Sequence, residues 1–192
     1  MKLLVGLGNP GPQYSRHRHN AGFMVLDALH ERASGSEWRE KFVGLSARGV
    51  LAGREVTLLK PQTFMNLSGR SVQRACQQLG VRPQDVLVVH DELDLAYGEV
   101  RAKQGGGHGG HNGLRDISAS VGADYARVRV GIGRPAVGTV EHFVLTPFSS
   151  EEAVTLANVL ARAADAAECA VAQGIEAAMN KFNTKAPAPK KK

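Results

Sequence analysis

Short apolar runs alternate with helix-period segments along almost the whole chain, and that alternation leaves few folds open. Residues 2–7 form an apolar run, and residues 21–33 carry Ala21, Val25, Ala28 and Leu29 at helical spacing. Residues 42–50 and 54–60 read as two strands around an Ala52-Gly53 turn. Residues 69–79 set Val72, Ala75, Cys76 and Leu79 on one face, with Gly80 as the helix stop. Val86-Leu87-Val88-Val89 has the pattern of a strand buried on both faces. A short strand over 98–103, a helix over 112–121 and a strand over 126–132 follow, the last with Val128, Val130 and Ile132 alternating. A further strand is expected near 140–146. An Ala-rich helix over about 150–172 carries Ala153, Leu156, Ala157, Leu160, Ala164, Ala167 and Val171 as one apolar stripe, and a short helix at 174–181 ends the pattern. This interleaving predicts an α/β fold: a single-domain, three-layer sandwich with a central mixed, mostly parallel sheet between helices. Ligands in such sheets sit beyond the carboxyl ends of strands. Polar, Gly-rich segments follow the strand ends at Leu7, Lys60, His90 and Lys103.

The totals agree with one globular domain. A length of 192 residues can bury a real core. No apolar run approaches the ~20 residues of a membrane span. The N-terminal run turns at once through Asn9-Pro10-Gly11, so it reads as a strand and not as a signal peptide. Cys76 and Cys169 both fall in apolar helical patterns, which fits buried thiols in a reduced, cytoplasmic setting. The net charge of +6 hints at a polyanionic partner, but four of the positive charges lie in the tail 185–192, which leaves +2 for the body. The reading is therefore a domain over 1–184 and a flexible basic tail over 185–192. Any nucleic-acid site must be argued locally.

Gly6-Leu7-Gly8-Asn9-Pro10-Gly11 has the spacing of a dinucleotide fingerprint. That motif needs a helix opening at its last glycines, and Pro10 and Pro12 obstruct one. A tight turn using glycine's φ freedom, or Asn9 projecting its amide into a cleft, are the other readings. Tyr14-Ser-Arg-His-Arg-His-Asn-Ala-Gly22 puts His19 just ahead of a helix start, where it could serve as a general base if a carboxylate orients it. His17 reads as a solvated neighbour. His90-Asp91-Glu92-Leu93-Asp94 offers three acids at a strand exit, any of which could hold that histidine.

Gly105-Gly-Gly-His-Gly-Gly110 has five glycines in six positions, a large entropic cost that no core requires. A lid or a close backbone approach to a ligand accounts for it. His108 and His111 raise a metal reading, but the segment lacks ligating cysteines and H-E-x-x-H spacing. Lys60-Pro-Gln-Thr-Phe-Met-Asn-Leu-Ser-Gly69 places Phe64 and Met65 in a polar loop. They could staple a helix capped by Asn66 or Ser68, or form a stacking platform with an amide beside it. Lys103, Arg127 and Arg129 could clamp a phosphate or be solvated.

Taken together, Val5–Gly11, Arg18-His-Asn-Ala-Gly22, Lys60–Gly69, His90–Leu95, Gly105–Leu114 and Arg129-Val-Gly-Ile-Gly133 resemble the bacterial-type peptidyl-tRNA hydrolase family. They come in the family's order and span nearly the whole chain before the tail. The resemblance implies hydrolysis of the ester of peptidyl-tRNA, an N-blocked aminoacyl-tRNA, by a cytoplasmic monomer with no cofactor, metal or membrane. It implies that His19 activates water, that Asp91 holds His19 in its basic form, and that Asn9 helps distinguish a blocked peptidyl group. Asn66 and Asn112 would bind the 3′ end of the tRNA, with Tyr14, Phe64, Met65 and His111 lining the same cleft. Lys103 and Arg129 would grip phosphate near the acceptor stem. Two departures, His17 and Ala96-Tyr97, stand where the family usually has threonine and a proline pair; both bear on loop geometry. The alternative readings are a catalytically silent tRNA- or RNA-binding module, a nucleotide-dependent oxidoreductase and a metallohydrolase.

Overall fold

The computed structural model of the chain describes residues 1–184, so the tail expected to be flexible lies outside the described residues. The strands are β1 (Leu3–Gly6), β2 (Arg39–Lys41), β3 (Gly44–Leu51), β4 (Arg54–Pro61), β5 (Val86–Glu92), β6 (Val100–Gln104) and β7 (Ala126–Gly131). The helices are α1 (Ala21–Arg32), α2 (Ser68–Leu79), α3 (Asn112–Val121), α4 (Val140–Val144), α5 (Ser150–Gln173) and α6 (Ile175–Phe182). The strands form one seven-stranded sheet in the order β2-β3-β4-β1-β5-β7-β6. Its central four are parallel, and antiparallel strands close both edges.

Side-chain alternation along β1 and β5 divides the core in two. Leu4, Leu87 and Val89 face α1, α5 and α6, whereas Leu3, Val5, Val86 and Val88 face α2 and α3. Two buried faces explain why these strands read as continuous apolar runs. The three-layer sandwich follows. Among the described residues no helix is long and apolar enough to cross a membrane.

Four features differ from the sequence reading. Residues 140–146 form no strand; they hold the short helix α4, with the Thr139 hydroxyl accepting from the His142 N–H at 3.2 Å. Val140 and Val144 suit a strand's alternation and a helix's i,i+4 face equally, so local pattern could not separate the two. The apolar stripe of α5 starts late. Ala153 and Ala157 are exposed, and burial begins at Val159 and runs through Ala163, Ala167 and Ala170; the first turn is held instead by Glu152, whose carboxylate accepts from Arg18 and whose carbonyl accepts from the Tyr97 hydroxyl. Strand β2 is a third difference, three exposed residues with no apolar signal. The fourth is the cap of α2. Neither Asn66 nor Ser68 caps it; the Gly69 N–H donates to an Asp116 carboxylate oxygen on α3 at 2.7 Å.

One close approach seats the functional edge. A Cβ on Gly6 would lie 2.3 Å from the Gly22 carbonyl oxygen, and a Cβ on Gly22 would lie 2.4 Å from Leu7 N and from Val89 O. The first turn of α1 therefore rests backbone-on-backbone over the carboxyl ends of β1 and β5. Gly6 is needed there for space and not for a turn, since only Gly11 in that motif has a positive φ, 116°.

Candidate active site

The loop after β1 carries Asn9 to the carboxyl edge of the sheet. The Asn9 N–H donates to Asn20 Oδ1 (2.9 Å), Asn20 Nδ2 donates to the Asn9 carbonyl (2.9 Å), and the Met65 N–H donates to Asn9 Oδ1 (2.8 Å). With its side-chain oxygen engaged, Asn9 has its NH2 left to donate into the cleft it lines. No helix opens at Gly11. A single 3₁₀ turn, Pro12–Tyr14, follows it, so the loop lacks the helix terminus that a dinucleotide pyrophosphate requires.

His19 sits in the 3₁₀ turn Arg18–Asn20, directly before α1. The buried Arg18 guanidinium holds this turn. It donates to Thr146 Oγ1 (2.8 Å), the Pro147 carbonyl (2.7 Å) and Glu152 (2.7 Å), and it lies 4.2 Å from the Phe143 ring centroid. Arg18 thus ties the turn that carries His19 to α4 and to the first turn of α5.

The His19 ring presents Nδ1 to both oxygens of Asp91, at 3.0 and 2.9 Å. Asp91 is only 3% exposed and also meets His111 Nε2 at 2.9 Å. His111 caps α3, its Nδ1 accepting from the N–H groups of Gly113 (3.1 Å) and Leu114 (3.4 Å). Those two donors fix its tautomer: Nδ1 is the acceptor, so Nε2 carries the proton given to Asp91. With Asp91 ionised, His19 donates through Nδ1–H and keeps Nε2 as a free lone pair. Burial disfavours the His19 cation, but the Asp91 charge and hydrogen bond outweigh it and raise the His19 pKa above 6.5. Burial also opposes ionisation of Asp91, and His19 and His111 outweigh it, holding the carboxyl well below the usual carboxylate range. Of the three acids offered by the sequence, Asp91 alone meets His19. Glu92 pairs with Arg129 (3.0 Å) and Asp94 with Arg134 (2.7 Å).

His90 lies beneath this network. Its Nδ1–H donates to the Asp91 carbonyl at 2.7 Å, and its ring meets His111 edge-on with centroids 5.1 Å apart. Burial, followed by the neighbouring His111, pushes its pKa down to about 3, so it is neutral.

A cleft of about 580 Å³ opens over these groups, a size suited to the end of a larger substrate. Asn9, Tyr14, His19, Phe64, Met65, Asn66, Asp91, His111 and Asn112 all line it, so nine of the eleven expected residues converge. Phe64 is 58% exposed at the mouth and staples no helix. Val140, Val144 and Leu145 of the unexpected α4 segment form the opposite wall. Lys103 and Arg129 stand outside the cleft, on β6 and β7. Arg129 spends its Nε on Glu92, and its terminal nitrogens have no partner among the described residues.

Arg127 is not a phosphate clamp. It is 2% exposed, it donates to the Gly107 carbonyl (2.6 Å) and the Gly106 carbonyl, and it lies 4.7 Å from the Tyr125 ring centroid. It pins the glycine segment that delivers His111. Arg18 and Asn20 were missed and Arg127 was misread for one reason: a polar side chain that holds another segment of the site in place has no local signature that separates it from one that meets a ligand.

One donor of each of His19, Asp91 and His111 lies within 4.8 Å of the others, a spacing that could hold an ion. The nitrogens that would ligate are those aimed at Asp91, and the Gly113 and Leu114 N–H groups keep the His111 proton on that side. A cation would have to displace two charge-assisted hydrogen bonds. The donor set therefore suits a hydrogen-bonded triad better than a metal centre.

The family model described as Peptidyl-tRNA hydrolase matches residues 3–191. A peptidyl-tRNA hydrolase from Citrifermentans bemidjiense is 52% identical over 185 residues, covering 96% of this chain and 98% of that protein. One from Sorangium cellulosum is 49% identical, covering 100% of this chain and 87% of its own length. The crystal structure of peptidyl-tRNA hydrolase from Acinetobacter baumannii superposes with a TM-score of 0.89 at 40% identity, covering 96% of this chain and 95% of that one.

Proposed function

The chain belongs to the peptidyl-tRNA hydrolase family and hydrolyses the ester of peptidyl-tRNA, and from that premise we propose how its residues divide the work. His19 is the general base. Its free Nε2 takes a proton from a water in the cleft, and the resulting hydroxide attacks the ester carbonyl carbon. The tetrahedral intermediate expels the ribose oxygen, which takes the proton back from His19 Nε2 and leaves as the hydroxyl of free tRNA, and the peptide's new carboxylic acid loses its proton to solvent and departs as the carboxylate. Asp91 steadies the His19 cation formed along the way. His111 is a positioning residue, because its one acidic proton is committed to Asp91. Asn9, with its NH2 turned inward, is placed to donate to the carbonyl oxygen as charge develops there. Asn66 and Asn112, beside the exposed face of Phe64, would receive the 3′ end of the tRNA, with Tyr14 and Met65 completing the wall. Lys103 and Arg129 would meet phosphate near the acceptor stem. Residues 1–184 act as one catalytic domain and as a monomer, since a single chain completes the cleft. The free, buried Cys76 and Cys169 fit a cytoplasmic enzyme.

The observation that carries this reading is the paired approach of His19 and His111 to one buried carboxylate. It is tested by turnover of N-acetyl-aminoacyl-tRNA in excess chelator, with the intact protein and with His19→Asn. The intact protein should turn over unaffected by chelator. The variant should bind normally and lose ~10²-fold or more in kcat. A variant that keeps most of its kcat removes His19 from the role, and loss of activity in chelator would revive the metal.

A further inference from the structure

We propose that Arg127 is a positioning residue for the reaction: by binding the segment Gly105–Gly110 to the sheet it keeps His111 on Asp91, and so sets how strongly Asp91 favours the protonated form of His19. The inference rests on the assignment of His19 as the base and extends it to a residue outside the cleft.

Stability does not account for Arg127. It is 2% exposed, yet it takes part in no ion pair among the described residues. Its charge is met by two glycine carbonyls and by the face of Tyr125. The charged and titratable groups around it are Lys103, its cross-strand partner on β6, with Arg129, Glu92 and His90. Like charges opposite each other on paired strands repel. A buried guanidinium without a paired carboxylate costs more than an apolar side chain of its volume. A position that opposes the fold in this way is kept for what it holds.

What it holds is a segment with little else to fix it. Gly105, Gly106, Gly109 and Gly110 have positive φ, between 57° and 95°. The Gly105 N–H donates to the Tyr125 carbonyl (3.0 Å) where the segment leaves β6. From Gly106 to Gly110, Arg127 is the one side chain from elsewhere in the fold that bonds to it among the described residues. Beyond Gly107 the chain closes on itself. The Gly110 N–H donates to His108 Nδ1 (3.0 Å), and the His111 N–H donates to the His108 carbonyl (2.9 Å). The two carbonyls that Arg127 holds therefore anchor a compact turn whose next residue is His111. His90 meets the His111 ring edge-on, but its own N–H goes to the Asp91 carbonyl.

The link to the base is Asp91, whose carboxylate serves both imidazoles. The N–H given by His111 stabilises that carboxylate and so weakens its pull on the His19 proton. Without it, Asp91 holds the His19 cation more strongly. The other titratable groups of the cleft are Tyr14, Glu92, His108 and Glu141. Glu92 is paired with Arg129, and none of the four bonds through its side chain to either imidazole among the described residues. Burial and Asp91 set the His19 pKa, so Arg127 acts on it through position and not through its charge.

The test is the pH profile of kcat/KM for N-acetyl-aminoacyl-tRNA in the intact protein and three variants. Arg127→Met removes the charge and both carbonyl bonds at similar volume. Arg127→Lys keeps the charge and lacks the planar fork. His111→Asn keeps a cap on α3, since asparagine accepts at that position, and loses the N–H given to Asp91. All three should move the acidic limb to higher pH, by about half a unit or more. Loss of the Asp91 charge would move it the other way. Arg127→Met combined with His111→Asn should move it no further than either alone, because both act on one hydrogen bond. A limb left in place in both Arg127 variants would overturn the proposal. So would a limb that moves in Arg127→Met and is restored in Arg127→Lys, since charge and not position would then be acting. Additive shifts in the double variant, or failure of both Arg127 variants to fold, would overturn it as well. Full kcat in His19→Asn would be a different failure, that of the base assignment on which the limb depends.

Discussion

At the scale of single residues, the site turns on one buried carboxylate shared by two imidazoles. The proposed role of His19 as base needs its neutral form, and its pKa lies above 6.5, so kcat/KM should fall as pH drops through that raised value. In Asp91→Asn the attraction is gone and burial remains, which lowers the His19 pKa. The acidic limb of the pH profile should move to lower pH, and the plateau should fall because the imidazole has lost the partner that sets its tautomer. Profiles of kcat/KM for both proteins test this; a limb that stays in place would mean Asp91 does not set the His19 charge. The candidates His19, Asp91, Asn9 and Asn66 were legible as residue types in polar segments at strand ends. Their division of labour was not. That His111 caps a helix, and so cannot accept a proton from water through Nε2, depends on two backbone N–H groups that only the folded α3 aligns.

Among the elements, the β2–β3 turn carries strain beside the functional edge. Phe42 and Val43 are consecutive left-handed residues, at φ 57° and 56°, a conformation tolerated poorly by a β-branched side chain. The surroundings hold it. Ser71 Oγ donates to the Phe42 carbonyl (2.7 Å), and the Gln62 N–H donates to the Val43 carbonyl (3.1 Å) at the start of the loop that carries Phe64 and Asn66. Val43→Asn suits this turn and should stabilise the protein by about 1 kcal/mol, read as a higher midpoint of denaturant unfolding at unchanged m. A lower midpoint would mean that packing of the Val43 side chain outweighs the strain. The elements differed in how visible they were. Helix α2 was plain from its apolar period and Gly80. Strand β2 and helix α4 were not: β2 has no apolar residue, the valines of α4 suit a strand and a helix equally, and the place of each is set by partners distant in sequence.

For the whole molecule, acid should be felt first through His90. Its folded pKa, pushed down to about 3, lies below the 6.5 of an unfolded histidine. The unfolded chain therefore takes up a proton that the native state refuses. The His90 contribution is fully present above pH 6.5 and should fall by up to ~1.4 kcal/mol per unit as pH drops from there toward 3, whereas His19, with its raised pKa, contributes in the opposite sense, its share being lost as pH rises through that value. Asp91, whose folded pKa is also depressed, adds its own loss only below about 3.8. Denaturant unfolding at pH 7, 6 and 5 measures the slope. His90→Asn should flatten it whatever the variant's absolute stability, and an equally steep slope in the variant would place the acid sensitivity elsewhere.

What the sequence determined by itself was local in origin. Strand and helix periods, glycine punctuation and the clustering of polar residues after strand ends record short-range demands on the chain, and they were enough for the sandwich and for the cleft's edge. Only the tertiary structure decided which of Asp91, Glu92 and Asp94 meets His19, that Arg127 holds the glycine segment while Arg129 faces outward, and that α4 walls the cleft. Each of these depends on strand register and on the packing of helices over the sheet. Those set the direction of a side chain through contacts between residues tens of positions apart, and no local pattern encodes them.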